Sequence, residues 1–479
     1  MKRILYLLAA VLLPFLLQAQ TSFYNVKQYG ATGKKGDYAT KAIQAAIDAA
    51  AKAGGGTVYF PAGDYLSAQI NLRDNITLWI DSGAKIWASN KDEDYSEKFY
   101  CEDTAEGGIP MVIYGNKVRN IRITGGGAIE GQPEYRQEPY RYNQWTKEDC
   151  DAALEAGLPL VCTRWKNRIS NIYLYDCQDV RIDNISLLNS SAWPCHLRFC
   201  ERIYLDGVYV YSKLETAANT DGFDIDGCKD IVINNCIMEV GDDGICFKST
   251  KWKDGFRNCE NGVVSNCIIQ SSSTALKIGS ESHGVIRNIK FTDCIVRNTN
   301  RAITIFCRDG NLVSDITYSN IEVECRRYSV SWWGSAELFR LLTSKRRADT
   351  PCGTIRNVTI KDIHAKVEGS SWIRGFEGMQ NIENVRIENV TMEIWPESAP
   401  DKRAKEGISI ENAKNVEIDN LKIEWMGEKQ PKWTHGLILD NVDNLWVNRL
   451  KIVNQPDGFA PIVVNNVTDS NIGEYMDKR

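Results

Sequence analysis

Short runs of alternating apolar and polar residues recur along most of this chain. Asp179-Val180-Arg181-Ile182-Asp183-Asn184, Asp230-Ile231-Val232-Ile233-Asn234-Asn235 and Asn288-Ile289-Lys290-Phe291-Thr292-Asp293 share one form: a polar residue, an alternating strand, then Asn or Asp. Asn357-Val358-Thr359-Ile360, Asn384-Val385-Arg386-Ile387, Asn415-Val416-Glu417-Ile418 and Asn444-Leu445-Trp446-Val447 repeat it. Alternation at a period of two puts one side of each run into a core and the other outside. The anchors recur every 27 or 31 residues, with one interval of 42 that carries an excursion containing Trp332-Trp333. Such a period, with several short strands and no helix per unit, predicts a parallel β-helix, in which each coil buries its apolar residues against its neighbours. Leucine-rich repeats share the period but need a Leu framework that is absent here. The expected fold is therefore all-β, a right-handed parallel β-helix, with Ile231, Ile233, Ile245, Phe247, Leu276, Ile278, Ile303 and Ile305 facing in. The late Asn or Asp of each unit (Asn184, Asn235, Asn266, Asp293, Asn320, Asn389, Asn420) is expected to stack at one turn, because Asn tolerates left-handed backbone and its amide can bond along the stack.

The residues before the repeats read differently. Tyr24 to Gly30 looks like a first strand. Asp37 to Ala53 is Ala-rich, has Ile43 and Ile47 at helical spacing, and stops at Gly54-Gly55-Gly56. Thr57 to Phe60 and the Pro61-Ala62-Gly63-Asp64-Tyr65 segment form a strand and turn. A helix ahead of a repeat array reads as a cap over its open end, here about residues 24–65. Still earlier, Lys2-Arg3, the apolar run Ile4–Leu17 and Leu17-Gln18-Ala19 have the form of a secretory signal, so residues 1–19 are expected to be removed. Export to the periplasm or the exterior follows, with residues 20–479 as one β-helix domain. The apolar run is short for a membrane span and no later segment qualifies. The insertion from Gln132 to Pro159 is expected to be a loop beside a cleft or a plain surface excursion.

Composition narrows the function. The chain has 479 residues, is 43% hydrophobic and carries a formal charge of −5. It has apolar material for a large core and no global basic field of the kind that marks nucleic-acid binders. An anionic ligand would need locally clustered cations. Fifteen cysteines in an exported protein would ordinarily suggest disulfides. Here Cys177, Cys200, Cys228 and Cys259 occupy one repeat position, and Cys236, Cys267 and Cys294 another. Columns of small apolar thiols pack well inside a solenoid, so mostly free, buried thiols are expected, with a few disulfides left open.

Two carboxylate clusters break the pattern. Asn219-Thr220-Asp221-Gly222 and Gly241-Asp242-Asp243-Gly244 lie one coil apart, which brings three carboxylates to one face. Converging carboxyls are what glycosidic hydrolysis requires: an acid to protonate the leaving oxygen and a base to activate water. Asp-Gly is also ordinary turn chemistry. The adjacent pair Asp242-Asp243 goes beyond what a turn needs, because neighbouring like charges repel and shift each other's proton affinity.

These two motifs resemble those of the polygalacturonase family, glycoside hydrolase family 28, and the 24–65 segment resembles the amino-terminal part of pectin-degrading β-helix enzymes. The resemblance implies a pectin-lyase-like fold, with Asp242 as general acid and Asp221 with Asp243 activating water. It also implies departures. Where the family has Gly-His-Gly this chain has Ser272-Ser273-Thr274, with Ser273 at the histidine position; where it has Arg-Ile-Lys this chain has Thr304-Ile305-Phe306. Strand alternation places Lys248, Lys277 and Arg308 outward, on the same face as the carboxylates. Lys248 also matches bacterial members; its plainer reading is a solvent-facing lysine. Asn219, Asp224, Ser273, Glu281 and His283 join the candidate substrate contacts, with Asp224 equally readable as a turn carboxylate and His283 as a structural histidine. Trp193-Pro194-Cys195-His196 is similar to a segment of bacterial exo-acting members, so Trp193 could stack on a sugar and His196 bond hydroxyls, or Trp193 could simply pack against the helix exterior.

The leading expectation is an exported inverting hydrolase of a galacturonate-containing pectic polysaccharide or oligosaccharide, monomeric, with no cofactor and no metal. The alternatives are a polysaccharide lyase on the same fold and a non-catalytic carbohydrate-binding β-helix.

Overall fold

The structure is a computed structural model that describes residues 23–101, 106–133, 135–139, 155, 163–165, 168–214, 219–328, 334–399, 402–473 and 475–478. The leader expectation, most of the 132–159 insertion and Trp332-Trp333 lie outside these residues. One parallel sheet runs coil upon coil from Phe23–Asn25 to Tyr475–Lys478, wound as a right-handed parallel β-helix.

Register explains the packing. One inward column runs Ile172, Cys195, Phe223, Ile245, Leu276, Ile303 and Phe339, each directly on the next. A second runs Val180, Ile203, Ile231, Gly262, Ile289, Ile316, Val358, Val385, Val416 and Leu445. Gly262 interrupts this β-branched column because the Phe247 ring occupies the space: a Cβ there would come within 2.7 Å of it. All eight residues expected to face inward are buried.

The turn column is left-handed as the repeats suggest. Asn184, Asn235, Asn266, Asp293, Asn320, Asn389 and Asn420 all have φ between 48° and 55°. Their side chains bond from coil to coil: Asn420 donates to Asn389 over 2.9 Å, and Asn389 to Asp362 over 3.0 Å. A second ladder uses the strand-opening anchors. Asn444 donates to Asn415, Asn415 to Asn384, Asn384 to Asn357, and Asn357 to Asp315, over 2.8–2.9 Å.

The cap forms with two changes. The helix, α1, spans Thr40–Lys52 and buries Ala42, Ile43, Ala46, Ile47 and Ala50 against the first coils. The expected first strand is only Phe23–Asn25, because the Asn25 side chain accepts the Lys27 N–H and turns the chain into a 3-10 helix at Val26–Tyr29. That turn ends at Gly30 with φ 105°.

All seven column cysteines are free and buried. Each thiol finds a local carbonyl acceptor, such as Cys228 to the Leu197 carbonyl at 3.1 Å and Cys236 to the Asn234 carbonyl at 3.2 Å. Burial pushes the Cys259 thiol up to about 12, which suppresses the reactive thiolate. Thiol titration of denatured, unreduced protein is therefore expected to find many free groups; a count of one would contradict the packing.

Candidate active site

The carboxylates meet because their turns are stitched together. The Gly241 N–H donates to Thr220 Oγ1 and the Asp242 N–H to the Thr220 carbonyl, both at 3.2 Å, while the Gly222 N–H donates to the Asp243 carbonyl at 2.7 Å. Gly222 and Gly244 permit the close approach: a Cβ on Gly222 would lie 2.2 Å from the Gly244 carbonyl oxygen. From the next coil, Ser271 and Ser272 donate to the carbonyls of Asp242 and Gly241 at 2.5 and 2.6 Å. The serine run that stands in place of a Gly-His-Gly motif thus braces the acidic turn.

Asp221, Asp224, Asp242 and Asp243 are all buried. Asp224 and Asp226 project from the same side of strand Phe223–Asp226, whose Phe223 and Ile225 enter the core. Lys248 Nζ lies 2.5 Å from Asp224, 3.9 Å from Asp221 and 3.9 Å from Glu281. It also sits 3.9 Å from the centre of the Trp193 ring. It is thus outward-facing yet almost fully enclosed, the hub of the cluster and not a solvent-facing lysine. Lys277 ion-pairs with Asp243, whose other oxygen accepts from Ser273 at 3.0 Å.

The electrostatics separate the carboxyls. Burial, then Asp243, pushes Asp242 up to about 8, with Lys277 and Lys248 pulling the other way. Burial, then Asp224 and Asp242, also holds Asp221 well above the usual range. Asp221 and Asp242 thus share a crowded, dehydrated site in which each added negative charge is disfavoured. The ammonium partners also divide: Lys277 pairs with Asp243, and Lys248 with Asp224.

Glu281 reaches Lys248 by a bulge. Phe247 pairs with Ile278 but Ser249 with Ser282, so two extra residues are accommodated on the second strand. Burial opposes its ionisation, yet Arg346, followed by Lys248 and Lys277, holds it at about 2. Arg346 lies 3.4 Å from Glu281 and 2.6 Å from Asp309, and neither Arg346 nor Asp309 is marked by any sequence motif. His283 lies 3.8 Å from Asp309 and beside Phe256, at the edge of this group. Arg308 is half-buried and donates its backbone N–H to Ser282 at 2.9 Å. Asn219, with φ 58°, is half-buried at the start of the acidic turn.

Trp193 and His196 take a different place from the one expected of sugar contacts. Both are buried, packed with Phe99 and Tyr173. His196 Nε2 is 3.2 Å from Asp226, which also receives Arg198 at 2.8 Å and the Thr250 N–H at 2.8 Å. They support the floor of the site: Trp193 carries Lys248 on its face. Alternation in Phe223-Asp224-Ile225-Asp226 was the available signal for Asp226.

Among the described residues, no group of three or more His, Cys, Asp or Glu is arranged to hold a metal ion, and no helix is long and apolar enough to cross a membrane.

A sequence profile for glycosyl hydrolases family 28 matches residues 56–400, and one for rhamnogalacturonase A/epimerase, pectate lyase-like, matches residues 23–86. The chain is 26% identical over 299 residues to a probable polygalacturonase of Vitis vinifera, covering 59% of this chain and 56% of that protein. It is 25% identical over 366 residues to an endo-polygalacturonase of Pectobacterium carotovorum subsp. carotovorum, covering 67% and 87%. In fold it is similar to the exopolygalacturonase of Thermotoga maritima, with a TM-score of 0.64 at 20% identity, covering 84% of this chain and 91% of that one.

Proposed function

The chain belongs to glycosyl hydrolases family 28, and from that premise we propose that it is an exported inverting hydrolase of galacturonate-containing pectic polysaccharides or oligosaccharides, acting from residues 20–479 as one catalytic domain. The observation that carries this reading is the buried cluster of Asp221, Asp242 and Asp243 gripped by Lys248 and Lys277. Asp242, kept protonated near neutrality, gives its proton to the leaving glycosidic oxygen. Asp243, ion-paired with Lys277, and Asp221 then draw the proton from a water on the opposite face of the sugar. The proton that the base takes from water replaces the one Asp242 gives up, so the net charge of the cluster is the same before and after the step. Inversion requires room for that water, at carboxyl separations of about 6.5–9.5 Å. The polygalacturonase names of the relatives support the substrate class.

The test is hydrolysis of pectic fractions by purified protein, followed by product mass and by the configuration of the first-formed reducing end. Inverted, saturated products are expected. Unsaturated, ultraviolet-absorbing ends would establish a lyase, and retained configuration would mean a nucleophilic carboxylate. No release of reducing sugar from any fraction would leave a binding scaffold. Specificity has its own test. We assign the uronate carboxylate next to the scissile bond to Arg308, which follows the outward-facing Thr304 and Phe306 of strand Arg301–Cys307 and whose planar fork suits a carboxylate. Arg308→Ala is expected to harm cleavage of an acidic substrate at least about tenfold more than that of its carboxyl-reduced counterpart, on the scale of one charge-assisted bond. Equal losses on both would contradict the assignment.

A further inference from the structure

A cavity of about 260 Å3 lies on the same face, toward the N-terminal cap from the acidic cluster. Its place follows from register. Tyr114 lies on Tyr173, Tyr173 on His196, and His196 on Asp224, so Tyr173 is two coils, about 10 Å, from the Asp224 strand position. Its walls are aromatic: Tyr114, Tyr173 and Tyr175 from the strands, and Trp252 from the loop that folds back after strand Ile245–Ser249. The Tyr114 and Tyr173 rings lie parallel, 6.1 Å apart. The volume falls below the range of about 300–1,000 Å3 typical of drug-sized sites, which suits one ring and not an oligomer.

Two observations point to a ligand. Tyr173 is 3% exposed, yet its hydroxyl has no hydrogen-bond partner among the described residues, although buried phenols ordinarily find one. The charges also balance. Glu97 and Lys98 line the cavity from one segment, and Lys253 and Asp254 from another. Lys98 is held by Asp92, and Asp254 by Arg198 at 3.1 Å and by the Tyr175 hydroxyl at 2.5 Å. Glu97 and Lys253 remain, one of each sign, as polar groups for hydroxyls. Among the described residues the lining carries two cations and two carboxylates, with no excess positive charge to favour a carboxylate, in contrast to the lysine-rich acidic cluster.

We propose that this cavity is a subsite for a neutral sugar ring of the substrate, stacked on tyrosine and tryptophan faces and hydrogen-bonded by the Tyr173 hydroxyl, Glu97 and Lys253. Its role as a substrate subsite rests on the hydrolase reading above. The enzyme then acts on chains in which neutral sugars accompany galacturonate, with a neutral residue on the cap side of the cleavage point.

The experiment measures binding of three probes to the mature chain by ligand-observed NMR: the methyl glycosides of a neutral 6-deoxyhexose, of a neutral hexose and of galacturonic acid. At least one neutral probe is expected to bind at least fivefold more tightly than the acidic one. Tyr173→Phe should weaken it about fivefold or more without lowering the thermal midpoint, because the hydroxyl removed has no protein partner. Lys253→Ala, at an exposed position where folding is not at risk, should weaken it too. In hydrolysis, both variants should raise KM on substrates bearing a neutral sugar and leave kcat unchanged. Preference for the acidic probe, no binding of either neutral probe, or unchanged binding in both variants would overturn the subsite. Hydrolysis of pectic fractions run in parallel separates the two claims: activity without neutral-probe binding removes the subsite alone. Binding without any hydrolysis removes the hydrolase reading, and with it the substrate role of the cavity.

Discussion

Asp242→Asn is expected to leave a folded protein that turns over at least about 100-fold more slowly and is more stable than the wild type at neutral pH. The rate loss is the lower scale for removing a general acid. The stability gain comes from the same carboxyl. Unfolded, it ionises near 3.8; folded, burial and then Asp243 hold it up to about 8. Between these values folding takes up a proton, so the native state loses stability as pH rises, by at most about 1.4 kcal/mol per pH unit for one group. Below 3.8 and above about 8 the contribution is flat. Thermal midpoints of wild type and variant measured from pH 4 to 8 should therefore diverge, with the variant pulling ahead. Parallel curves would show that Asp242 is not the protonated member of the cluster, and near-native turnover would place the chemistry elsewhere on the helix.

Lys248→Met should have the largest effect on stability. Among the described residues its ammonium is the one that ion-pairs with Asp224, and it also lies near Asp221 and Glu281. Removing one member of a buried pair leaves an uncompensated charge, at a cost of about 3–5 kcal/mol. Adding Asp224→Asn should recover most of that loss, since neither charge is then left alone. Activity should stay low in both, because Trp193, Asp221 and Glu281 lose the group that holds them together. Denaturant unfolding of the two variants decides it: a single variant as stable as the wild type, or no recovery in the double variant, would remove Lys248 from the centre of the cluster.

The fold was legible because its signals are local and repeated. Ile231 and Ile233 alternate within one run, and Asn235 follows them in a turn that only a few residue types accept. Asp221, Asp242 and Asp243 were legible for the same reason, being one coil apart in a helix whose period the sequence sets. What stayed hidden crosses the period. Glu281 was a candidate, but its approach to Lys248 through a bulge that shifts register was not legible, and Arg346 arrives from the loop after strand Glu337–Thr343. Trp193 and His196 carried the right residue types for sugar contact, but Phe99, from a strand before the repeats they belong to, packs over them. Tertiary cover of that kind leaves no mark on a period of two.

The asparagine ladders have a direction. In three of the series each amide gives its N–H to the oxygen of the coil before it, and the series starts on an aspartate: Asp230 beneath Asn261 and Asn288, Asp315 beneath Asn357 to Asn444, Asp362 beneath Asn389 and Asn420. An ionised aspartate only accepts, so it fits the first rung and no later one. Spontaneous deamidation is therefore not equivalent along the chain. Losing the amide of Asn384 sets two oxygens face to face in mid-ladder, whereas the first rung already carries the aged chemistry. The same polarity governs how such a helix can grow: a duplicated coil bearing asparagine extends a ladder on its C-terminal side, while one bearing aspartate must begin a new one.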